Sequence, residues 1–139
     1  MNIVIDTNII ISALIKDGLT REIILNCKDT LLFPEFEFEE IEKHKEEIIQ
    51  KSGLSEDEFN ELLDYLLKYV HIIKTIEVLK YREEAYKIIG HIDKEDILFI
   101  ATALAYKSKI WSDDYHFQMQ DKIEILKTKD MIEIIKSKE

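Results

Sequence analysis

The sequence predicts a three-layer α/β/α fold, with helices on both faces of a central sheet of five mainly parallel strands. Short apolar runs alternate along the chain with longer segments of helical periodicity. This alternation is typical of parallel strands joined by right-handed helical crossovers. The length of 139 residues falls in the usual size range of one domain. We therefore expect a single domain that spans residues 1–139.

Five segments are predicted to be the strands of this sheet. Residues 2–5 form a β-branched run that is too short for a helix and is followed at once by polar residues. The other four segments are equally short and lie between helical stretches. They are residues 30–33, 71–74, 109–112 and 123–127.

Capping signals indicate the helices that precede and follow the second strand. Gly18 is a natural stop for the first helix, and Thr20 is a candidate N-cap for a second helix at 21–28. Pro34 suits the first turn of a helix that runs to about Ser52.

The remaining helices are predicted in the same way. A capping box at residues 55–58 opens a helix that completes an insertion at about 34–69, which we expect to stand out from the sheet as a helical arm. A further helix is predicted at 78–90. Asp93 is a candidate N-cap for the very apolar helix that follows, and Thr128 for the last helix.

The formal charge of −10 argues against a nonspecific binder of nucleic acid, because affinity for phosphate backbones comes largely from Lys and Arg. The objection weakens where the acids are gathered in a cluster that cations neutralise. We find no signal segment and no apolar run near the roughly 18 residues of a membrane span, so we expect a cytoplasmic protein. Cys27, the only cysteine, excludes an internal disulfide.

Three aspartates are expected to meet at the edge of the sheet where ligands bind. Asp6 and Asp114 each follow a short apolar strand, and ligands bind beyond the carboxyl ends of such strands. Asp96 lies in the first turn of the buried helix that precedes the strand of Asp114. Carboxylates in one cleft raise one another's pKa unless cations neutralise them. Hard oxygen ligands without Cys or His favour Mg²⁺ or Mn²⁺ over zinc.

Four segments, taken in order, resemble the motifs of the PIN domain family. They are IDTNIIISAL at 5–14, a Pro-x5-Glu segment at 34–40, DILFIATAL at 96–104 and WSDDYHF at 111–117. The resemblance covers the whole chain. It implies a five-stranded parallel sheet and an acidic site for Mg²⁺ or Mn²⁺.

The resemblance also implies the roles of individual residues. Asp6, Asp96 and Asp114 would be metal ligands, and Glu40 would join them as a fourth catalytic acid. Asn8 and Ser112 would support the site by hydrogen bonding.

Two of these assignments compete with a neighbouring acid. Glu39 and Glu40 point about 100° apart on a helix, so only one of them can face the cleft, and the motif spacing favours Glu40. Asp113 competes with Asp114, which the Ser-x-Asp-x-x-Phe pattern favours. Structural roles are also open, since Asp6 could be a helix N-cap, Asp96 could stabilise a helix dipole and Glu40 could lie on a solvated face.

These residues and the resemblance together predict a metal-dependent endoribonuclease that hydrolyses RNA phosphodiester bonds with a metal-activated water. The resemblance further implies a toxin of a toxin–antitoxin pair, with an antitoxin protein as partner and a homodimer as assembly. A catalytically inactive RNA- or protein-binding module of the same fold is the alternative. Basic side chains that could guide RNA to this acidic protein are Lys16, Lys43, Lys45, Lys107 and Lys109.

Overall fold

The computed structural model describes residues 1–138. Its strands are β1 (Asn2–Ile5), β2 (Thr30–Pro34), β3 (His71–Ile73), β4 (Lys109–Trp111) and β5 (Ile125–Leu126). They form one sheet in the order β3-β2-β1-β4-β5, and every neighbouring pair is parallel. The predicted five-stranded α/β/α fold is therefore confirmed.

Eight α-helices surround the sheet within residues 1–138. They are α1 (Thr7–Ile15), α2 (Leu19–Asn26), α3 (Phe38–Lys43), α4 (Lys45–Ser52), α5 (Glu56–Leu67), α6 (Arg82–Ile89), α7 (Ile97–Tyr106) and α8 (Thr128–Ser137). None of these described helices has the length and apolar character that crossing a membrane requires.

The central strand β1 separates two apolar cores. Ile3 and Ile5 point into the core that α1, α2, α5 and α8 cover, whereas Val4 points into the core that α6 and α7 cover. All three side chains are fully buried. This alternation is the period of two that a strand buried on both faces imposes, and it accounts for the continuous apolar run at the start of the chain.

The strand order also fixes where a ligand can bind. From β1 the chain proceeds outward through β2 to β3, and it then returns to place β4 on the other side of β1. The connections thus leave β1 and β4 in opposite directions, which opens a crevice at their carboxyl ends.

The helical insertion at 34–69, which was expected as an arm, shares its core with the sheet. Ile48 of α4 and Phe59 and Leu66 of α5 are almost completely buried, and they belong to the same cluster as Ile3 of β1. The hydrophobic effect explains this packing, because an arm standing in water would expose these three large side chains.

Pro34 does not begin a helix, contrary to the sequence prediction. It is the last residue of β2 and is aligned with Ile73 of β3, a strand-end position where a missing N–H is tolerated. The predicted helix to Ser52 is also divided. It consists of a 3₁₀ turn at Glu35–Glu37 followed by α3 and α4, which are separated at His44.

Three other boundaries differ from the prediction. The helix expected at 78–90 begins only at Arg82, after two 3₁₀ turns, and Gly18 rather than Thr20 is the N-cap of α2. Thr128 does not cap α8, because its hydroxyl donates to the Asp113 carboxylate at 2.6 Å. The Asp130 carboxylate instead accepts from the backbone N–H of Lys127, at 2.8 Å.

Candidate functional site

A cleft of about 420 Å³ lies at the carboxyl ends of β1 and β4. The start of α1, the segment that follows β2, and the 3₁₀ turn at Lys94–Asp96 complete its walls. Asp6, Asp96 and Asp114 all line this cleft. The structure therefore brings together Asp6 and Asp114, which the strand-end rule selected from the sequence, and Asp96 from the turn before α7.

Asp6 lines the cleft and is only 5% exposed. It is the N-cap of α1, and its Oδ1 accepts from the backbone N–H of Asn8 at 3.4 Å. Its Oδ2 accepts from the hydroxyl of Ser112 at 2.6 Å. Burial raises the pKa of Asp6, whereas the hydrogen bond from Ser112 acts in the opposite direction. The side chain that caps α1 thus also lines the cleft.

Ser112 links Asp6 to Asp114. Its fully buried hydroxyl donates to Asp6, and the same oxygen accepts from the backbone N–H of Asp114 at 2.9 Å. Asp114 in turn accepts from the backbone N–H of His116 at 2.9 Å. This chain of hydrogen bonds fixes the loop after β4 against the end of β1.

Asn8 contacts Asp6 in a way that the sequence did not specify. Its backbone N–H donates to the carboxylate, while its own side chain is exposed and lines the cleft. The carboxamide is therefore free to face a ligand.

Asp96 has the largest pKa shift among the acids of the cleft. Burial, followed by the charges of Asp93, Asp114 and Asp6, raises the pKa of Asp96 to about 8. Within residues 1–138 its Oδ2 has no hydrogen-bond partner, although the side chain is buried. A buried carboxylate oxygen without a donor is costly, so this group is suited to a cation that supplies the missing contact.

The two competing acid pairs are distinguished by their contacts. Glu40 lines the cleft, and its carboxylate also lies 3.2 Å from His44 Nε2 and 3.6 Å from Lys43 Nζ. Glu39 is exposed and does not line the cleft. Asp113 also points elsewhere, because its carboxylate accepts from the backbone and the hydroxyl of Thr128.

Glu37 is a cleft residue that the sequence interpretation missed. Its carboxylate accepts from the hydroxyl of Thr7 at 2.7 Å, and burial raises its pKa. Glu40 and Asp6 raise the pKa of Glu37 further by charge repulsion. Its position three residues before Glu40, on the same side of a helical turn, is a signal that could have found it.

Asp93, which was predicted as a helix cap, has a second contact at the edge of the cleft. Asp93 does cap the turn before α7, since its Oδ1 accepts from the backbone N–H of Glu95 at 2.9 Å. Its Oδ2 lies 3.1 Å from His116 Nδ1. Sequence spacing could not reveal this contact, because 23 residues separate the two side chains.

The cleft is strongly acidic. Its lining contains seven carboxylates, those of Asp6, Glu37, Glu40, Asp93, Glu95, Asp96 and Asp114. Lys94 is the one basic side chain among its lining residues within 1–138. Of the lysines expected to guide RNA, Lys43, Lys45 and Lys109 form ion pairs with nearby glutamates, at Glu40, Glu56 and Glu124.

The four motifs lie within a region that matches a known family. The sequence model of the PIN domain matches residues 4–134. The chain belongs to the PIN domain family. That match includes every residue of the cleft, so the acidic site lies within the PIN domain itself.

Solved structures show the same fold. The PIN domain resembles the crystal structure of VapBC2 from Rickettsia felis bound to a DNA fragment from their promoter, with a TM-score of 0.70 and 17% sequence identity. The likeness covers 91% of this chain and 98% of that chain. No curated protein matches the sequence.

Proposed function

We propose that this PIN domain is a divalent-metal-dependent endoribonuclease. The observation that supports the proposal most is the convergence of Asp6, Asp96 and Asp114 in one cleft, with a buried Asp96 oxygen that lacks a partner in the described chain. Seven carboxylates would repel a phosphodiester unless cations neutralise them. Oxygen ligands of this kind fit Mg²⁺ or Mn²⁺.

Asp6, Asp96 and Asp114 would hold the cation. When bound, it would supply a Lewis acid that acidifies water and neutralises charge on a scissile phosphate. Ser112 positions two of these ligands through its hydroxyl. Lys94 lines the cleft and would attract the RNA backbone, and the exposed Asn8 carboxamide could donate a hydrogen bond to a phosphate oxygen.

Cleavage of a labelled RNA pool tests this function. We expect cleavage with Mg²⁺ or Mn²⁺, none with EDTA, and a loss of at least about a hundredfold for Asp6→Asn, because that change removes a ligand charge but little volume. Asp121→Asn, at an exposed position outside the cleft, is the matched control. Binding of RNA without metal-dependent cleavage would instead support the inactive binding module.

We further propose that the protein is a toxin with an antitoxin partner, and that it forms a homodimer in the cytoplasm. The family resemblance supports this role, and the fold likeness to VapBC2 agrees with it. Co-expression with the product of a short neighbouring reading frame should protect cells from growth arrest, and the two proteins should purify together. Light scattering of the purified protein should give a molar mass of twice that of one chain if it forms the homodimer.

A further inference from the structure

Three side chains at the edge of the cleft form a group that we call the histidine cluster: Asp93, Asp96 and His116. One possible ligand atom from each lies within 4.8 Å of the other two. The separation of 3.1 Å between His116 Nδ1 and Asp93 Oδ2 is that of a hydrogen bond. It also matches the roughly 3 Å between adjacent ligands that each bind a cation at about 2.1 Å.

Backbone contacts hold the histidine cluster in position. Asp93 Oδ1 accepts from the N–H of Glu95. This hydrogen bond orients the carboxylate so that Oδ2 faces His116. The N–H of His116 donates to Asp114, which fixes the turn that carries the imidazole. Two separate chain segments, the turn before α7 and the turn after β4, therefore present ligands to one point without large rearrangement.

A second observation within the histidine cluster points to a ligand. Asp96 is 9% exposed, and its Oδ2 has no hydrogen-bond partner in residues 1–138. In a folded protein such an oxygen normally receives a donor or a cation, because leaving it bare loses its hydration without compensation. A cation bound between Asp96 and its two neighbours would satisfy it.

The imidazole determines the class of cation. Mg²⁺ prefers oxygen ligands only, whereas Mn²⁺, Co²⁺ and Zn²⁺ accept imidazole nitrogen together with carboxylates. The sequence argument for Mg²⁺ or Mn²⁺ assumed that no histidine would join the acids, and the contact of His116 with Asp93 removes that assumption.

We propose that Asp93, Asp96 and His116 form a transition-metal site, for Mn²⁺ or Zn²⁺, beside the carboxylates of Asp6 and Asp114. This site gives the cleft a preference for transition metals over Mg²⁺. It extends the proposed nuclease function, since Asp96 belongs to both sets of ligands.

Calorimetric titration of the RNA-free protein with Mn²⁺, Zn²⁺ and Mg²⁺ tests the site. We expect His116→Asn to weaken Mn²⁺ and Zn²⁺ binding by about tenfold or more, with a change of less than about twofold for Mg²⁺. The visible absorption bands of bound Co²⁺ should lose the contribution of nitrogen ligation in the same variant. Exposed His91, which lies outside the cleft, provides the matched control His91→Asn.

A second variant distinguishes the loss of a nitrogen ligand from a general disturbance of the structure. His116→Asp keeps a ligand but makes it a hard oxygen, so it should shift the preference toward Mg²⁺. Equal weakening of all three ions by His116→Asn, or no weakening of any, would overturn the site. These titrations use no RNA, so their outcome is separate from that of the cleavage assay, which alone tests the nuclease.

Discussion

At the scale of single residues, the cleft depends on keeping buried carboxylates close together. Burial, followed by the charges of the neighbouring carboxylates, raises the pKa of Asp96 to about 8. The side chain is therefore neutral at low pH and acquires its unfavourable buried charge as the pH rises. A divalent cation reverses this preference, so metal affinity should increase with pH up to about that value.

This shift predicts a pH dependence of stability. Between the unfolded pKa of about 3.9 and the raised folded value, the folded state binds a proton that the unfolded state has released. The contribution of Asp96 therefore favours folding at low pH and is lost as the pH rises toward 8. In EDTA, Asp96→Asn should flatten the fall of Tm between about pH 5 and 8.5, while Asp121→Asn keeps the wild-type slope. Equal slopes for all three proteins would contradict the shift.

Ser112 predicts a different residue-scale effect, because one hydroxyl serves two aspartates. Ser112→Ala should lower the free energy of unfolding by about 1 to 3 kcal/mol, since it leaves a buried Asp6 oxygen without a donor. Urea unfolding measures this cost. The variant should also bind Mn²⁺ more weakly, since Asp6 and Asp114 lose their common contact. Ser137→Ala, at an exposed position in α8, is the control.

At the scale of elements, the short 3₁₀ turn at Lys94–Asp96 places both basic and acidic side chains in the cleft. It follows the cap Asp93 and precedes the apolar helix α7, whose burial holds the turn against the sheet. A charged segment can therefore stay in one place beside the carboxylates. The apolar pattern of α7 does not predict the position of these charged side chains, because they lie in the turn before the helix begins.

Lys94 provides the prediction for this element. If the proposed nuclease function holds, Lys94→Ala should raise the KM for RNA several-fold with little change in kcat, because a lysine in the cleft would attract the substrate backbone without holding the metal. Lys87→Ala, exposed on α6 outside the cleft, should leave both constants unchanged. Steady-state kinetics at two salt concentrations check the result, since the Lys94 effect should decrease with added salt.

At the scale of the whole molecule, the shared core predicts one cooperative unit. Phe59 of α5 is 1% exposed and packs in the cluster that contains Ile3 and Ile5 of β1. Phe59→Ala should lower the free energy of unfolding by about 3 to 5 kcal/mol and shift the entire transition. Circular dichroism and tryptophan fluorescence from Trp111 in β4 should give the same midpoint. Separate midpoints would show that residues 34–69 unfold as an independent arm.

The sequence was sufficient for the parts of this protein that local patterns control. Short apolar runs predicted all five strands, and the strand-end rule selected Asp6 and Asp114 before any contact was known. The apolar pattern after Asp93 also predicted the helix α7 correctly. Each of these signals depends on neighbours in the chain, whose periodicity can be read directly.

Tertiary structure decided the contacts between residues that are distant in the chain. The approach of His116 to Asp93, the bond from Thr7 to Glu37 and the diversion of Asp113 to Thr128 all depend on which loops the sheet brings together. Thr128 illustrates the reason. Its hydroxyl could cap its own helix but instead donates to Asp113 in another loop. A sequence pattern shows only the hydrogen-bond partners that are near in the chain, whereas the folded protein also offers distant ones.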